Sequence, residues 1–195
     1  MLTEVTPVAE AALPIAALRE HLRMGTGFDD DSLQDGLLVA CLRAGLALVE
    51  ARTGKAVLSR PFRVTLRGWR DRYAERLPVC PIVTLDQVRI LDKDDEVELV
   101  SPEVYRLVQG LHRASLEAIG ALPAVPTHGR VEIDLVAGYG AAWNAVPAGL
   151  RQAVIMVAAG LYEGRAVEGG DILTPTVNAL LSDFRSSRLT LGRAG

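Results

Sequence analysis

The stretch VEIDLVAGYGAAWNAVPAGLRQAVIMVAAGLYEGR, residues 131–165, changes its repeat halfway along. In its first part Val131, Ile133 and Leu135 oppose Glu132 and Asp134, the two-residue period of a strand with one face on a core. Past Gly138-Tyr139-Gly140 and the Val146-Pro147 step the period lengthens. Leu150, Ala153, Val154, Val157, Ala158 and Leu161 then share one helical face. Ile155 and Met156 make this helix apolar nearly all round, and no charge stands between Ala153 and Leu161. Such a helix is either central to a core or shared between subunits. A strand running into a helix of this kind points to an α+β fold.

Working outward toward the N-terminus, more strand patterns precede it. Phe62, Val64 and Leu66 alternate with Arg63, Thr65 and Arg67, and Pro61 places the start of that strand at an edge or a bulge. Val88 and Ile90 alternate with Gln87 and Arg89. After the acidic turn Asp92-Lys93-Asp94-Asp95, Val97 and Leu99 read as the returning arm of a hairpin. Further short strands fit Val104–Val108 and Leu111–Ala118. Gly68–Pro81 reads as a loop carrying Trp69 and Tyr73. The middle of the chain is thus an antiparallel sheet.

Before the sheet, helical spacing returns. Asp29, Asp30, Asp31 and Ser32 crowd a helix start, where they satisfy free N–H groups and favour the positive dipole end. Leu33, Leu37, Cys41, Ala44 and Leu48 form a stripe, widened by Leu38, Leu42 and Val49, and Thr53-Gly54 closes the helix. Pro14, Ile15, Leu18 and Leu22 give a shorter helix ending near Arg23. Residues 1–12 read as a loose arm. Beyond the central helix, the Glu168-Gly169-Gly170 link leads to a short helix bearing Val177, Leu180, Leu181 and Phe184. So short a helix must dock on its own domain or on a neighbour.

The expected architecture is a small helical bundle, with about three main helices plus a C-terminal docking helix, and an inserted antiparallel β-sheet. One domain spans 1–195. Within it the N-terminal helices occupy 13–54, the inserted β region 55–137, the core helix 146–165, and a flexible link with the docking segment 166–195.

The chain has 195 residues, 49% of them hydrophobic and 23% charged, too apolar for a mostly disordered protein. No apolar run reaches the length of a membrane helix, and no basic-then-apolar leader opens the sequence, so neither a span nor a secretory signal is expected. A formal net charge of −3 argues against a surface built wholly for nucleic acid. The charges are unevenly placed. Eight basic residues lie between Arg52 and Arg76 against Asp71 and Glu75, whereas six acids and one lysine lie between Asp92 and Glu103. These are either solvated faces or halves of a contact between copies or with a partner. Trp69, Tyr73 and the arginines beside them suit an interface anchor. An ordinary packed loop and a base-stacking surface are the other readings.

Catalytic and metal signatures do not assemble. His21, His112 and His128 lack metal-binding spacing, and His21 reads as structural. Cys41 reads as a buried thiol. Cys80, between Pro78 and Pro81, reads as open to exposure but has no histidine placed to activate it. Asp92, Asp94 and Glu96 alternate like a calcium loop, but Val97 stands where such a loop requires glycine. No cofactor and no catalytic residue are expected.

Three segments together resemble the head–tail connector (adaptor or head-completion) family of long-tailed phages and prophage-derived particles, including gene transfer agents. The first is LREHLRMGTGFDDDSLQDGLLVACLRAGLALVEARTGKAV, residues 18–57. It carries the family's short helix, paired aspartates, long helix and threonine-glycine step at Leu18, Leu22, Arg23, Asp30, Asp31, Ala44, Glu50, Thr53 and Gly54. The second is LPVCPIVTLDQVRILDKDDEVELV, residues 77–100, with a proline-isoleucine step before a hairpin. The most telling is the opening stretch, through Ala137, Gly138, Tyr139, Gly140, Val146, Pro147, Leu150, Arg151, Leu161, Tyr162, Glu163 and Arg165. The tail VNALLSDFRSSRL, residues 177–189, resembles the closing segment of longer members. The simplest members are almost wholly helical, and the inserted strands depart from them.

The resemblance implies a structural part rather than an enzyme. Such proteins form a ring, usually of twelve copies, beneath the portal of a filled head. They extend the channel through which genomic DNA passes without sequence-specific binding, and they present a platform for the downstream stopper or tail protein. The implied place is the head–tail junction of a virion or virion-like particle, assembled in the bacterial cytoplasm without a membrane. The segment expected to dock on the portal holds Val177, Leu180, Leu181, Phe184, Arg185 and Arg188. The residues expected at inter-subunit or neck contacts are Arg63, Arg67, Trp69, Arg70, Arg72, Tyr73, Asp94, Asp95 and Glu96. Another neck component, such as a stopper or tail-terminator protein, is the alternative, and a small acid–base enzyme a remote one.

Overall fold

The change of period near residue 140 divides the molecule into two cores. The computed structural model describes residues 1–24, 31–110, 112–164 and 172–185, with backbone alone at 31–33. Helices α1 (Ile15–His21), α2 (Asp31–Thr53), α3 (Ala148–Tyr162) and α4 (Pro175–Leu181) pack on one another. The strands are β1 (Leu2–Glu4), β2 (Arg60–Leu66), β3 (Ala74–Leu77), β4 (Ile82–Leu91), β5 (Val97–Leu99), β6 (Tyr105–Gln109), β7 (Ala114–Ala118) and β8 (Arg130–Ala137). The fold is α+β, as expected, but the strands form two antiparallel sheets rather than one. Their orders are β1-β2-β8-β4-β5 and β3-β7-β6.

In the helical core α3 is covered by α1, α2 and α4, which buries Leu150, Ala153, Val154, Ile155, Val157, Ala158 and Ala159. This decides between the two readings of that helix. Its own chain encloses it, so no neighbouring subunit is needed to cover these residues. The stripe expected on α2 is displaced. Leu38, Cys41, Leu42, Leu46 and Val49 are buried, whereas Leu37 is 52% exposed and Ala44 faces outward. Gly45 explains the rotation. A Cβ there would stand 3.2 Å from the Val154 carbonyl oxygen and 3.3 Å from the Ala158 nitrogen. The two backbones meet at that glycine, and the buried stripe centres on it. At the far end, Gly54 takes φ of 68° and returns its N–H to the Glu50 carbonyl at 2.8 Å, the expected glycine cap. The aspartate cap at 29–32 and the Gly169-Gly170 link lie outside the described residues or side chains.

In the β core the inner face of the large sheet buries Phe62, Val64, Val88, Ile90, Val131, Ile133 and Leu135. The small sheet contributes Leu77, Tyr105, Ala114 and Leu116 to the same cluster. Three expectations are corrected here. Residues 1–12 are not a loose arm throughout, because β1 pairs with β2 from Leu2↔Val64 to Glu4↔Phe62. All three of its side chains are exposed, so the strand buries nothing and leaves no alternation to read, and Glu4 adds an ion pair with Arg60 of β2. The loop at 68–81 contains β3, whose inward positions are Glu75 and Leu77. A glutamate on the core face hides the pattern. Strand β4 starts at Ile82, well before Val88, because register shifts between Ile82 and Thr84 and between Leu85 and Gln87 break its alternation.

Arg60 and Gly138 stand where the modules meet, beside the bonds from Tyr139 N–H to the Val57 carbonyl and from Ser59 N–H to the Gly140 carbonyl. Arg60, at the start of β2, donates to both carboxylate oxygens of Glu50 on α2, at 2.9 and 2.7 Å. The same Glu50 accepts the Val57 N–H at 2.8 Å. Burial opposes the Arg60 charge, but Glu50 and then Glu4 outweigh it and raise its pKa. At the end of β8, Gly138 has φ of 138°, and a Cβ there would lie 2.4 Å from Ser59 Cα.

Candidate interaction surfaces

The C-terminal segment begins with Thr174, whose hydroxyl accepts the Val177 N–H at 3.3 Å and caps α4. Asn178 donates from its side chain to the Leu173 carbonyl at 2.6 Å. These bonds turn Val177 and Leu181 inward, where they are 1% and 0% exposed against the helical core. Leu180 and Phe184 pack partly on that core, with the Phe184 ring beside Gly149. Of the two places where this helix could dock, its own domain is the one it occupies. Arg185 is exposed, and Arg188 lies outside the described residues.

The nine residues expected at neck contacts do not form one surface. Arg63 sits on the outer face of the large sheet, bound to Asp134 at 2.7 Å. That face is a ladder in which Arg89 bridges Asp134 at 2.8 Å and Glu132 at 3.1 Å, and Arg130 joins Glu132 at 3.0 Å. The hydrogen bond to Asp134, helped by the nearby carboxylates, raises the Arg63 pKa against a smaller burial effect. Basic and acidic side chains here neutralise each other within one chain.

Arg67, Trp69, Arg70, Arg72 and Tyr73 lie between β2 and β3. Trp69 donates its indole N–H to the Pro123 carbonyl at 2.8 Å and packs on the β core. Arg72 stacks on the Tyr73 ring at 5.2 Å, and Tyr73 is 57% exposed. The acidic trio is far from both groups in sequence and forms the β4–β5 turn. Asp92 accepts the N–H groups of Asp94 and Glu96 at 2.8 and 2.9 Å, and Asp95 binds Arg130. The solvated-turn reading of this segment matches what is seen.

Reading the sequence missed a third locality. Lys55 and Cys80 form an isolated parallel bridge, and Lys55 Nζ donates to Cys80 Sγ at 3.1 Å. Lys55 is 2% exposed and Cys80 4%, which corrects the reading of Cys80 as open. Tyr139 stands close enough that burial and then the Cys80 charge push its phenol up. Beside them opens a cleft of about 260 Å³ that includes Arg70, Arg76, His112 and Arg113. No spacing in the sequence signals this cleft, because Arg70 has Asp71 and Arg76 has Glu75 as its immediate neighbour, and Arg113 lies far along the chain from both. His21, expected to be structural, is exposed instead. Among the described residues no group of histidine, cysteine, aspartate and glutamate could hold a metal ion, and no helix is long and apolar enough to cross a membrane.

Fold and surfaces together define a structural α+β module whose chemistry lies in charged and apolar contacts. Neither a family model nor a curated protein matches the chain. Solved structures do, and in the three that follow the match covers 99% of both chains. The chain is similar to one in the neck of an empty gene transfer agent particle computed with six-fold symmetry, at 44% identity and TM-score 0.89. A second stands in the virion of a native gene transfer agent particle, at 45% and 0.85. A third stands in the neck of a native particle computed with twelve-fold symmetry, at 42% and 0.84. The chain belongs to the family of gene transfer agent neck proteins, structural components of the head–tail junction.

Proposed function

We propose that this protein is the adaptor of the neck, a non-enzymatic ring of twelve copies beneath the portal. It extends the DNA channel and offers a platform to the next neck or tail protein. The observation that carries this reading is a full-length relative at 42% identity in a neck computed with twelve-fold symmetry. Twelve-fold averaging preserves a component that itself obeys that symmetry and blurs one present in six copies. A relative in a six-fold neck is compatible, since twelve copies also satisfy six-fold symmetry.

The single domain divides functionally at its two cores. The helical module carries α4 and the exposed Arg185, which fit a role at the portal; because Val177 and Leu181 are already buried, the contact falls to the outer side of α4 and to the tail. The β module carries Arg67, Arg70, Arg72 and Tyr73 for contacts around the neck. Genomic DNA slides through without sequence-specific contacts, which suits a chain of net charge −3. Assembly takes place in the bacterial cytoplasm, without a membrane.

Electron microscopy of particles bearing a tag on this chain tests the reading. Twelve tags in one layer directly below the portal are expected. Six tags, or a layer next to the tail tube, would replace the adaptor with a stopper or tail-terminator. Deleting residues 185–195, beyond the buried Val177 and Leu181, is expected to leave the domain folded and to weaken portal docking.

A further inference from the structure

The β module carries opposite charges at its two ends. At one end is the cleft formed in part by Arg70, Arg76 and Arg113. All three arginines are exposed, and none of their guanidinium groups has an acidic partner among the described residues. Glu75 does not neutralise them from the cleft side. It is 1% exposed, points to the other face of β3 from Arg76, and accepts the Arg70 backbone N–H at 2.7 Å. In the same wall, His112 Nδ1 is buried and has no hydrogen-bond partner among the described residues.

At the other end is the β4–β5 hairpin. Its turn uses Asp92 internally, pairs Asp94 with Lys93, and pairs Asp95 with Arg130. Glu96 and Glu98 are exposed, and their carboxylates have no partner among the described residues. The chain leaves the cleft at Cys80, enters β4 at Ile82 and reaches this turn after Leu91. A strand of that length, at about 3.3 Å per residue, holds the two ends roughly 30 Å apart. That is several screening lengths, so the two ends do not satisfy each other within one copy. Complementary patches at opposite ends of one molecule fit a heterologous contact, the kind that builds a ring where the rotation between successive copies closes.

We propose that Glu96 and Glu98 of one copy seat in the Arg70–Arg76–Arg113 cleft of the next copy. The guanidinium forks would receive the two carboxylates, a pairing that arginine geometry favours over lysine. This deepens the ring reading and rests on it.

The test uses complete particles made in cells whose only copy of this chain is a variant. R76E/R113E and E96K/E98K, all at exposed positions, are each expected to lower the chain's content per particle at least tenfold by quantitative mass spectrometry. Circular dichroism of the purified chains checks that they fold. Combining the four changes in one chain again sets opposite charges on the hairpin and on two of the three cleft positions, Arg70 being unchanged, and is expected to restore incorporation at least in part. Unchanged incorporation of either pair, or no recovery in the combined variant, overturns the pairing. Rings of normal copy number that leak DNA would reassign the cleft to phosphates and also overturn it. Native particles with no ring of this chain would instead remove the ring reading, and this contact with it.

Discussion

The outer face of β2, β8 and β4 is a ladder of ion pairs, Arg63–Asp134–Arg89–Glu132–Arg130. The outer face of α2 carries Leu37, Ala40, Ala44, Ala47 and Ala51, all exposed and none charged. The β module therefore finishes its surface with side-chain pairs across strands. The helical module relies on backbone: alanine is the best helix former, and its inner seam closes on Gly45. Charge changes should accordingly be felt on the sheet, and volume changes between the helices.

The largest expected effect lies where the two modules meet. Gly138→Val places a side chain against the Ser59 and Leu58 backbone at a φ of 138°, which no side-chain shift relieves. A loss of about 3 kcal/mol or more is expected in denaturant unfolding. A loss below about 1 kcal/mol would mean that the junction is not the rigid element described here.

Next come the two cores themselves. Leu150→Ala in the helices and Leu116→Ala in the small sheet, both 0% exposed, are each expected to cost about 2–5 kcal/mol. Because Arg60 and Gly138 join the modules, both variants should shift one common transition. Two separable transitions in calorimetry, each moved by only one of the variants, would show that the cores are independent units.

The bond that joins them is third. Arg60→Gln removes the double contact to Glu50, whose side chain is 16% exposed and would be left without that partner. A loss of about 1–3 kcal/mol is expected by chemical denaturation, with recovery of part of it in Arg60→Lys.

How much of this was legible in the sequence follows from the same contrast. Period-two runs at 62–66 and 131–137 and the helical run at 150–161 are local signals, and each became the expected element. The strands that were missed break the local rule. Strand β1 buries nothing, β3 puts Glu75 on its core face, and β4 shifts register twice. The inward face of α2 was misplaced because one glycine, not the most apolar stripe, sets the approach of α3. The Arg70–Arg76–Arg113 cleft was not legible at all. It depends on the β6–β7 turn arriving beside β3, a tertiary fact.

A smaller effect concerns alkaline pH. Burial raises Cys41 above its ordinary value of 9.0, and Tyr105 and Tyr139 above theirs of 10.0. Each fold-held group keeps its proton longer than in the unfolded chain. Above about pH 9 the unfolded state binds fewer protons, so stability falls as pH rises and is fully present below that point. Melting temperature should be flat from about pH 7 to 9 and then decline, and Tyr139→Phe should soften the decline. A rising melting temperature in that range would contradict the burial of these groups.

The smallest effect separates exposed from enclosed charge within the β module. Arg106 and Glu117 face each other across β6 and β7 at 2.8 Å, with side chains 67% and 34% exposed. Water screens this pair, and holding two long side chains together costs entropy, so Arg106→Ala should change stability by less than about 0.5 kcal/mol. Arg89, 21% exposed between Glu132 at 13% and Asp134 at 23%, is the contrasting case. Its removal leaves Asp134 with Arg63 and Glu132 with Arg130 but takes away the cation between the two largely enclosed carboxylates, and Arg89→Ala should cost clearly more than Arg106→Ala in the same urea titration. Equal costs would show that the ladder is as solvated as the small sheet's edge, and the contrast between a paired sheet surface and an alanine helix surface would lose its energetic basis.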